Sequence, residues 1–520
     1  MSWSLLSALT SLAVGAGPIA ALSAGFGPPV PAVRRAASVL TLGAVSAVAA
    51  AIAALLGTSG ELPGFEMGSA SSLVLVLICG MGATVIGYAG RSLRHEPYQR
   101  RFAILGSSLV GVGSVFALTT NLIVLALAWI ATSALTVALL RTGPSAGVHR
   151  RSQRARRAFA VGDLAMVVAV AILVVASGSV STARIGSAST GAMAAAGVLL
   201  VVAAAARSAS GPFMRWLPDS LGAPTPSSAL LHAGVVNGGS LALIKLSPAV
   251  AGARPAAIFA VTLGGISCVV AEAVMLTRPD VKGRLAWSTI AQMSFTLLLC
   301  GLGLVAAATA HLVAHGLYKG ALFLGSGGAV RSLVRHRSAP PMAPGSPRVK
   351  RLTTVIAFAV SGAAVLGIVS VRNATVTPEM AVPLWLVWVT GGCVMTAALR
   401  RAVAHRQRVL IAGAGAGAVA GFVLFAIEVE RAIVSTLPST EPVVSEWWVV
   451  PVLAGLVMVV VTRRTNFHGD SVPARLWTRA DALGRPTARQ PLVVTRTVPH
   501  PRPRPTGDDG SNLQPSLSGA

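Results

Sequence analysis

The sequence predicts an all-α polytopic membrane protein of about 14–15 transmembrane helices, with broken helices among them. Three observations predict it: an apolar composition, the recurrence of apolar runs of membrane length, and a lopsided distribution of basic residues. With 54% hydrophobic residues, 11% charged residues and a mean hydropathy of +0.73, the 520-residue chain is far too apolar for a soluble domain of ordinary make-up.

Apolar runs of roughly 17 to 25 residues, long enough to cross about 30 Å of hydrocarbon as helix, recur between short Arg-rich breaks. In order they lie near 3–25, 35–57, 70–90, 102–119, 121–140, 158–178, 190–207, 224–246, 255–276, 285–303, 305–330, 352–371, 382–399, 409–427 and 447–462. The first, in "MSWSLLSALTSLAVGAG", lacks the basic leader of a secretory signal and reads as a retained helix. After Arg463 and Arg464 the chain turns polar and then low in complexity, ending "VPHPRPRPTGDDGSNLQPSLSGA". Composition of that kind cannot bury a core. The domain reading is therefore a membrane body over 1–462 and a basic, Pro-rich, disordered cytoplasmic tail over 463–520. Trp477 and its neighbouring arginines suit either solvent or an anionic leaflet.

The net charge of +26 invites a nucleic-acid reading, which the placement of the charges excludes. Threading the 15 spans alternately across a bilayer puts 36 of the 42 Lys and Arg on one side. The other side holds Arg184, Arg254, Arg372 and Arg431, while Lys245 and Lys319 lie within spans. That is the positive-inside pattern, and it predicts an outside N-terminus and a cytoplasmic C-terminus.

Cys79, Cys268, Cys300 and Cys393 stand singly, without ligand spacing, and suggest neither a zinc site nor a disulfide framework. GxGxxG, GxxxxGK[ST] and HExxH motifs are absent, so no cofactor is expected and the chain reads as no enzyme by itself. The stretch "RSASGPFMRWLPDSLGAPTPSSALLHAG", residues 207–234, breaks the helical pattern with Pro212, Pro218, Pro224 and Pro226. It is either irregular backbone buried in protein or a surface loop.

Residues 310–327, "AHLVAHGLYKGALFLGSG", place His311, His315 and Lys319 at i, i+4 and i+8, one stripe with steps of about 6 Å on a helix. Facing lipid, each would cost several kcal/mol. The stripe must therefore face protein or water, either as a proton relay of neutral His and partly desolvated Lys or as satisfied packing groups. His232 follows the proline break. Glu272 lies inside its span, open between relay and structural roles. Asp163 reads as a neutraliser of Arg156 or Arg157, and Lys245 as a snorkelling anchor.

"LLHAGVVNGG", "QMSFTLLLCGLGL" and "HLVAHGLYKGALFL" resemble the antiporter-like membrane subunits of respiratory complex I and of multisubunit cation/proton antiporters. Within that superfamily they look most like the membrane subunits of Dab inorganic-carbon transporters, over about residues 86–335. The resemblance implies an antiporter-like fold and a proton path in which His232, His311, His315 and Lys319 stand at the later relay positions. It also implies a Glu on the fifth helix and a Lys on the broken seventh. Those positions fall at Ile130, in "LAWIATSAL", and at Arg207. Isoleucine does not titrate and arginine stays protonated, so the first switch is absent or rebuilt. As the resemblance implies, such a subunit conducts a cation, a proton, for a large soluble zinc partner, DabA, which resembles β-carbonic anhydrases and interconverts CO2 and bicarbonate. The rivals are a proton-translocating subunit of an NADH-quinone oxidoreductase and a subunit of a Na⁺/H⁺ antiporter complex.

Overall fold

The computed structural model describes residues 4–58, 62–143, 148–337, 347–372, 378–400, 405–434 and 472–485, with single residues at 445, 450, 454 and 455. The predicted span 447–462 falls largely outside them, as does the tail beyond Arg485. Every described helix belongs to the unit Met1–Gly484.

Each predicted span with described residues is a helix. The first seven are α1 (Leu5–Gly25), α2 (Pro29–Leu55), α3 (Ser69–Ser92), α4 (Gln99–Leu118), α5 (Leu122–Leu140), α6 (Val148–Ser177) and α7 (Thr190–Arg207). After the break come α8 (Thr225–Lys245), α9 (Arg254–Thr277), α10 (Val281–Gly301), α11 (Val305–Arg337), α12 (Pro347–Val371), α13 (Pro378–Leu399) and α14 (His405–Val434). Among the described residues, eleven helices are long and apolar enough to cross a membrane. The sequence supplies their starts through side-chain oxygens that take otherwise unpaired N–H groups. Asn121 Oδ1 accepts from Ile123 N and Val124 N at the head of α5, and Asp280 Oδ2 accepts from Gly283 N at the head of α10.

Helices overrun the apolar runs at the arginine-rich end. The run at 158–178 becomes a helix from Val148, and the run at 305–330 one that reaches Arg337. Hydropathy marks lipid contact, whereas a helix continues for as long as its backbone bonds are met. At the opposite end the connections are knitted together. Glu66 N donates to Leu118 O at 2.7 Å, Thr120 N to Gly64 O at 2.9 Å, Leu122 N to Val180 O at 2.7 Å and Thr182 N to Thr120 O at 2.8 Å. The α2–α3, α4–α5 and α6–α7 connections therefore share one hydrogen-bonded layer.

The proline-rich break is buried rather than exposed at its core. Ser208, Ala209, Ser210, Trp216 and Leu217 are all inside. Its polar groups are met by other helices, as irregular backbone at membrane depth requires: Ser210 Oγ lies 2.9 Å from Ser294 Oγ, Gly211 N donates to Ser267 Oγ, and Trp216 Nε1 donates to Ala206 O. Ala209 ends α7 in the left-handed region, at φ 55°. The stretch read as tail also holds structure. Val472–Gly484 forms a helix, α15, that packs against α9, and Arg278 Nη1 donates to Gly484 O at 2.7 Å.

Candidate proton-path site

The predicted stripe lies on α11 and is enclosed. Lys319 is wholly buried, His315 nearly so and His311 half-buried. Its environment is built by α8 and α10. Within α8 the turn Leu231–Val235 is a π-helix, a wider turn that re-aims the residues around it and recurs at functional sites. His232 sits in this turn and Asn237 just after it. Close approach holds α11 against them: a Cβ at Gly316 would lie 2.8 Å from Ala233 O and 2.5 Å from Leu77 Cδ1.

The hydrogen bonds assign the imidazole protons. Asn237 Nδ2 donates to Ala233 O at 2.9 Å, which turns Asn237 Oδ1 toward His315 Nδ1 at 3.1 Å. An amide oxygen only accepts, so Nδ1 carries the proton and Nε2 keeps its lone pair. The same logic applies to His232. Thr289 Oγ1 gives its hydrogen to Leu285 O at 2.9 Å and so accepts from His232 Nδ1 at 3.2 Å. Among the described residues Nε2 of His232, of His311 and of His315 is buried with no hydrogen-bond partner. His311 and His315 lie near parallel with ring centroids 6.1 Å apart, and His232 stacks on Phe323 at 4.2 Å.

Lys319 Nζ donates to Ser288 Oγ at 2.5 Å and reaches Leu285 O at 3.5 Å. Leu285 O therefore takes both Thr289 and Lys319, and joins His232 to the ammonium in one thread. Glu272 of α9 is the carboxylate in electrostatic reach of Lys319, with Arg284 as its second cationic neighbour. Charges this deep persist only when paired and hydrogen-bonded. The chemistry available is proton transfer along an amine and three basic imidazole nitrogens.

Arg207 and Asp163 form a separate centre. Arg207 Nη1 donates to Thr132 Oγ1 at 2.7 Å, and Nη2 donates to Ser133 Oγ at 2.6 Å and to Trp129 O at 3.0 Å. Its guanidinium stacks 4.1 Å over Trp129 and 5.0 Å from Phe159. Trp129, Thr132 and Ser133 share one face of α5 through i, i+3 and i+4 spacing. Ile130, 37% exposed, sits outside that face. Asp163 corrects the expectation drawn for it: it partners neither Arg156 nor Arg157. Its Oδ1 takes the Ser133 hydroxyl at 2.6 Å and lies 3.6 Å from Arg207 Nη2, while Arg156 turns to Gln153. Two helical turns of α6, about 10 Å, separate Asp163 from Arg156.

Asp163 on α6 and Arg207 on α7 thus form a buried acid–base pair near the positions at which the resemblance places the first switch. The guanidinium keeps its proton, leaving Asp163 as the titratable member. Lys245 also departs from expectation. It does not snorkel; its side chain is 5% exposed, and Nζ donates to Glu66 Oε2 at 3.1 Å and Ala117 O at 2.9 Å. A mainly apolar cavity of about 90 Å3, whose lining includes Arg207, Thr132, Asn237, Leu241, Leu312 and Phe116, lies beside the Arg207 centre.

Sequence reasoning missed Asn237, Ser288, Thr289, Thr132 and Ser133, which fix the protons and charges. The only signal for them was small polar residues recurring inside apolar spans.

Residues 119–396 match the family described as NADH:quinone oxidoreductase/Mrp antiporter, TM. The chain is 30% identical over 289 residues to "Probable inorganic carbon transporter subunit DabB1" of Halothiobacillus neapolitanus, covering 52% of this chain and 50% of that protein. It is 32% identical over 281 residues to "Probable inorganic carbon transporter subunit DabB" of Bacillus subtilis, covering 53% and 55%. The chain therefore spans about half the length of the curated relatives it matches. The solved Mrp complex from Dietzia sp. DQ12-45-1b superposes with a TM-score of 0.60 at 22% identity, over 92% of this chain and 59% of that chain, a likeness of fold. With the matched segment extending over more than half of its length, the chain belongs to the membrane-subunit family of NADH:quinone oxidoreductases and Mrp antiporters.

Proposed function

We propose that the chain is the proton-conducting membrane subunit of an energy-coupled complex that accumulates inorganic carbon, as CO2 or bicarbonate, in a bacterial cell. The observation that carries the conducting role is the buried cluster of Lys319, His232, His315 and His311, in which three imidazole Nε2 atoms have no hydrogen-bond partner among the described residues. Each unpartnered Nε2 accepts a proton to become imidazolium and returns to imidazole on passing it on. Lys319 alternates between ammonium and amine, with the Ser288 hydroxyl and Glu272 balancing its charge.

The carbon-accumulating role is supported by the likeness to the DabB subunits of Halothiobacillus neapolitanus and Bacillus subtilis. In this reading a soluble zinc protein of the DabA type carries the hydration chemistry. The N-terminus lies outside and the C-terminus in the cytoplasm. The body over 1–462 does the conducting, and the segment from 463 reaches the cytoplasm with α15 against α9. Asp163 and Arg207 tune or feed the path.

The rival roles, in an NADH-quinone oxidoreductase or a Na⁺/H⁺ antiporter, share the family. The non-titrating Arg207 speaks against the full pump of the first.

The test is to purify the tagged chain from its native membrane, identify its companions and measure carbon uptake. A large soluble zinc protein should come with it, and Lys319→Ala and His315→Ala should abolish uptake at wild-type membrane levels. Wild-type uptake by both variants would sink the path, and companions with iron–sulfur centres and quinone sites would sink the carbon reading.

A further inference from the structure

The helix α15 divides into distinct strips. Ala480 and Gly484, four residues apart, are buried; Ala480 joins the main core, and a Cβ at Gly484 would lie 2.9 Å from Val274 Cγ1 of α9. Leu476 and Leu483, seven apart, are 57% and 42% exposed. Arg475 and Arg479, four apart, are exposed as well. At about 100° per residue, the three pairs follow one another round the helix: the seat on α9, then the leucines, then the arginines. Ala482 lies beyond the arginines, also exposed, on the side away from the leucines.

The level at which α15 lies is set by α9. Gly484 meets Val274 and Arg278, which bracket the end of α9 at Thr277. Arg278 Nη1 donates to Gly484 O at 2.7 Å and Nη2 to Asp280 Oδ1 at 3.1 Å, so a cation closes the C-terminus of α15, where carbonyls are left over. Here the apolar span gives way to the basic connection that holds Arg278, Lys282 and Arg284. Two open leucines at the edge of the hydrocarbon, with arginines on the adjoining strip, form the layout of a helix that lies in a membrane interface. A guanidinium at that height reaches phosphate in a bidentate fashion.

We propose that α15 is an interfacial binding surface for anionic phospholipid. Leu476 and Leu483 enter the acyl boundary of the leaflet around α9, and Arg475 and Arg479 hold the phosphate-bearing headgroups above it. The charges are complementary: the arginine strip stands at the end of the bundle where basic residues collect, and its ligand is a phosphodiester of net negative charge. The inference is independent of the conducting role.

The experiment places the complex purified through this chain, with its native companions, in nanodiscs of equal parts phosphatidylcholine and phosphatidylglycerol. A photoreactive benzoylphenylalanine replaces in turn Leu476, Leu483 and Ala482, all exposed, and the adducts formed on illumination are identified by mass spectrometry. The two leucine positions should give lipid adducts, with phosphatidylglycerol favoured at least about threefold, and Ala482 few. Combining Arg475→Gln with Arg479→Gln should keep the lipid adducts and remove the preference. Adducts to a companion protein or to a second copy of the chain at both leucine positions overturn the proposal by making α15 a protein contact. An absence of adducts there, or equal lipid labelling at Ala482, overturns it by showing no fixed lipid face. Equal use of the two lipids by the wild-type arginines, or a preference that survives their replacement, overturns the recognition of the headgroup.

Discussion

Arg207 and Asp163 stand 3.6 Å apart with the hydroxyl of Ser133 between them, accepting from the guanidinium and donating to the carboxylate. Three helices, α5, α6 and α7, are tied at this point. The arrangement sets an acid–base pair deep in the bundle.

Removing one member of such a pair leaves an uncompensated buried charge. Arg207→Met is expected to destabilise the protein by about 3–5 kcal/mol, read as a large fall in the thermal midpoint in detergent. Asp163→Asn, whose amide oxygen still accepts from Ser133, leaves the more deeply buried guanidinium without its counter-charge and should also lower the midpoint. Equal midpoints for wild type and Arg207→Met would refute the role given to the pair.

Asn237 sets the tautomer of His315. Asn237→Leu removes the acceptor for Nδ1, so the imidazole is free to present a protonated Nε2 to its neighbours. Proton flux in liposomes should drop about tenfold or more, and Asn237→Asp, which keeps an acceptor there, should recover part of it. If the leucine variant conducts normally, tautomer control is not part of the path.

Gly316 permits the contact of α11 with the π-turn of α8. A methyl group there meets Ala233 O and Leu77, and overpacking of this kind costs about 1–3 kcal/mol. Gly316→Ala should lower the thermal midpoint and also slow flux by separating His315 from Asn237. Gly325, with nothing within 4 Å of an added Cβ, is the control, and Gly325→Ala should leave both unchanged.

Ala209 occupies a backbone conformation that costs a residue with a Cβ about 1–2 kcal/mol. Ala209→Gly relieves it, against the greater freedom glycine has in the unfolded chain. A net gain of up to about 1 kcal/mol is expected, seen as a raised thermal midpoint. A lowered midpoint would show that the turn is not strained.

Much of this was legible in the residues because lipid imposes simple rules. Apolar runs at 70–90, 121–140 and 190–207 became Ser69–Ser92, Leu122–Leu140 and Thr190–Arg207 almost residue for residue, and the spacing of His311, His315 and Lys319 gave their common face. What escaped depended on neighbours distant in sequence. Asp163 looked closest to Arg156 and Arg157 along its own helix, yet its partner is 44 positions away on another. Lys245 looked like a residue reaching for the interface because nothing in its own span hinted at Glu66, 179 positions earlier. Thr289 and Asn237 were invisible for a related reason: a small polar side chain has meaning only once the group it bonds to is known.

The four backbone bonds that knit the α2–α3, α4–α5 and α6–α7 connections also limit how this end can move. Swinging α3 with α4 away from α5 with α6 would break bonds worth about 1 kcal/mol each and expose their polar groups to lipid headgroups. Opening at this end is therefore confined to the scale of single side chains. The fold is suited to a wire whose switches are rotamers and protons, with no rocking of halves of the kind that moves a bulky solute across a bilayer.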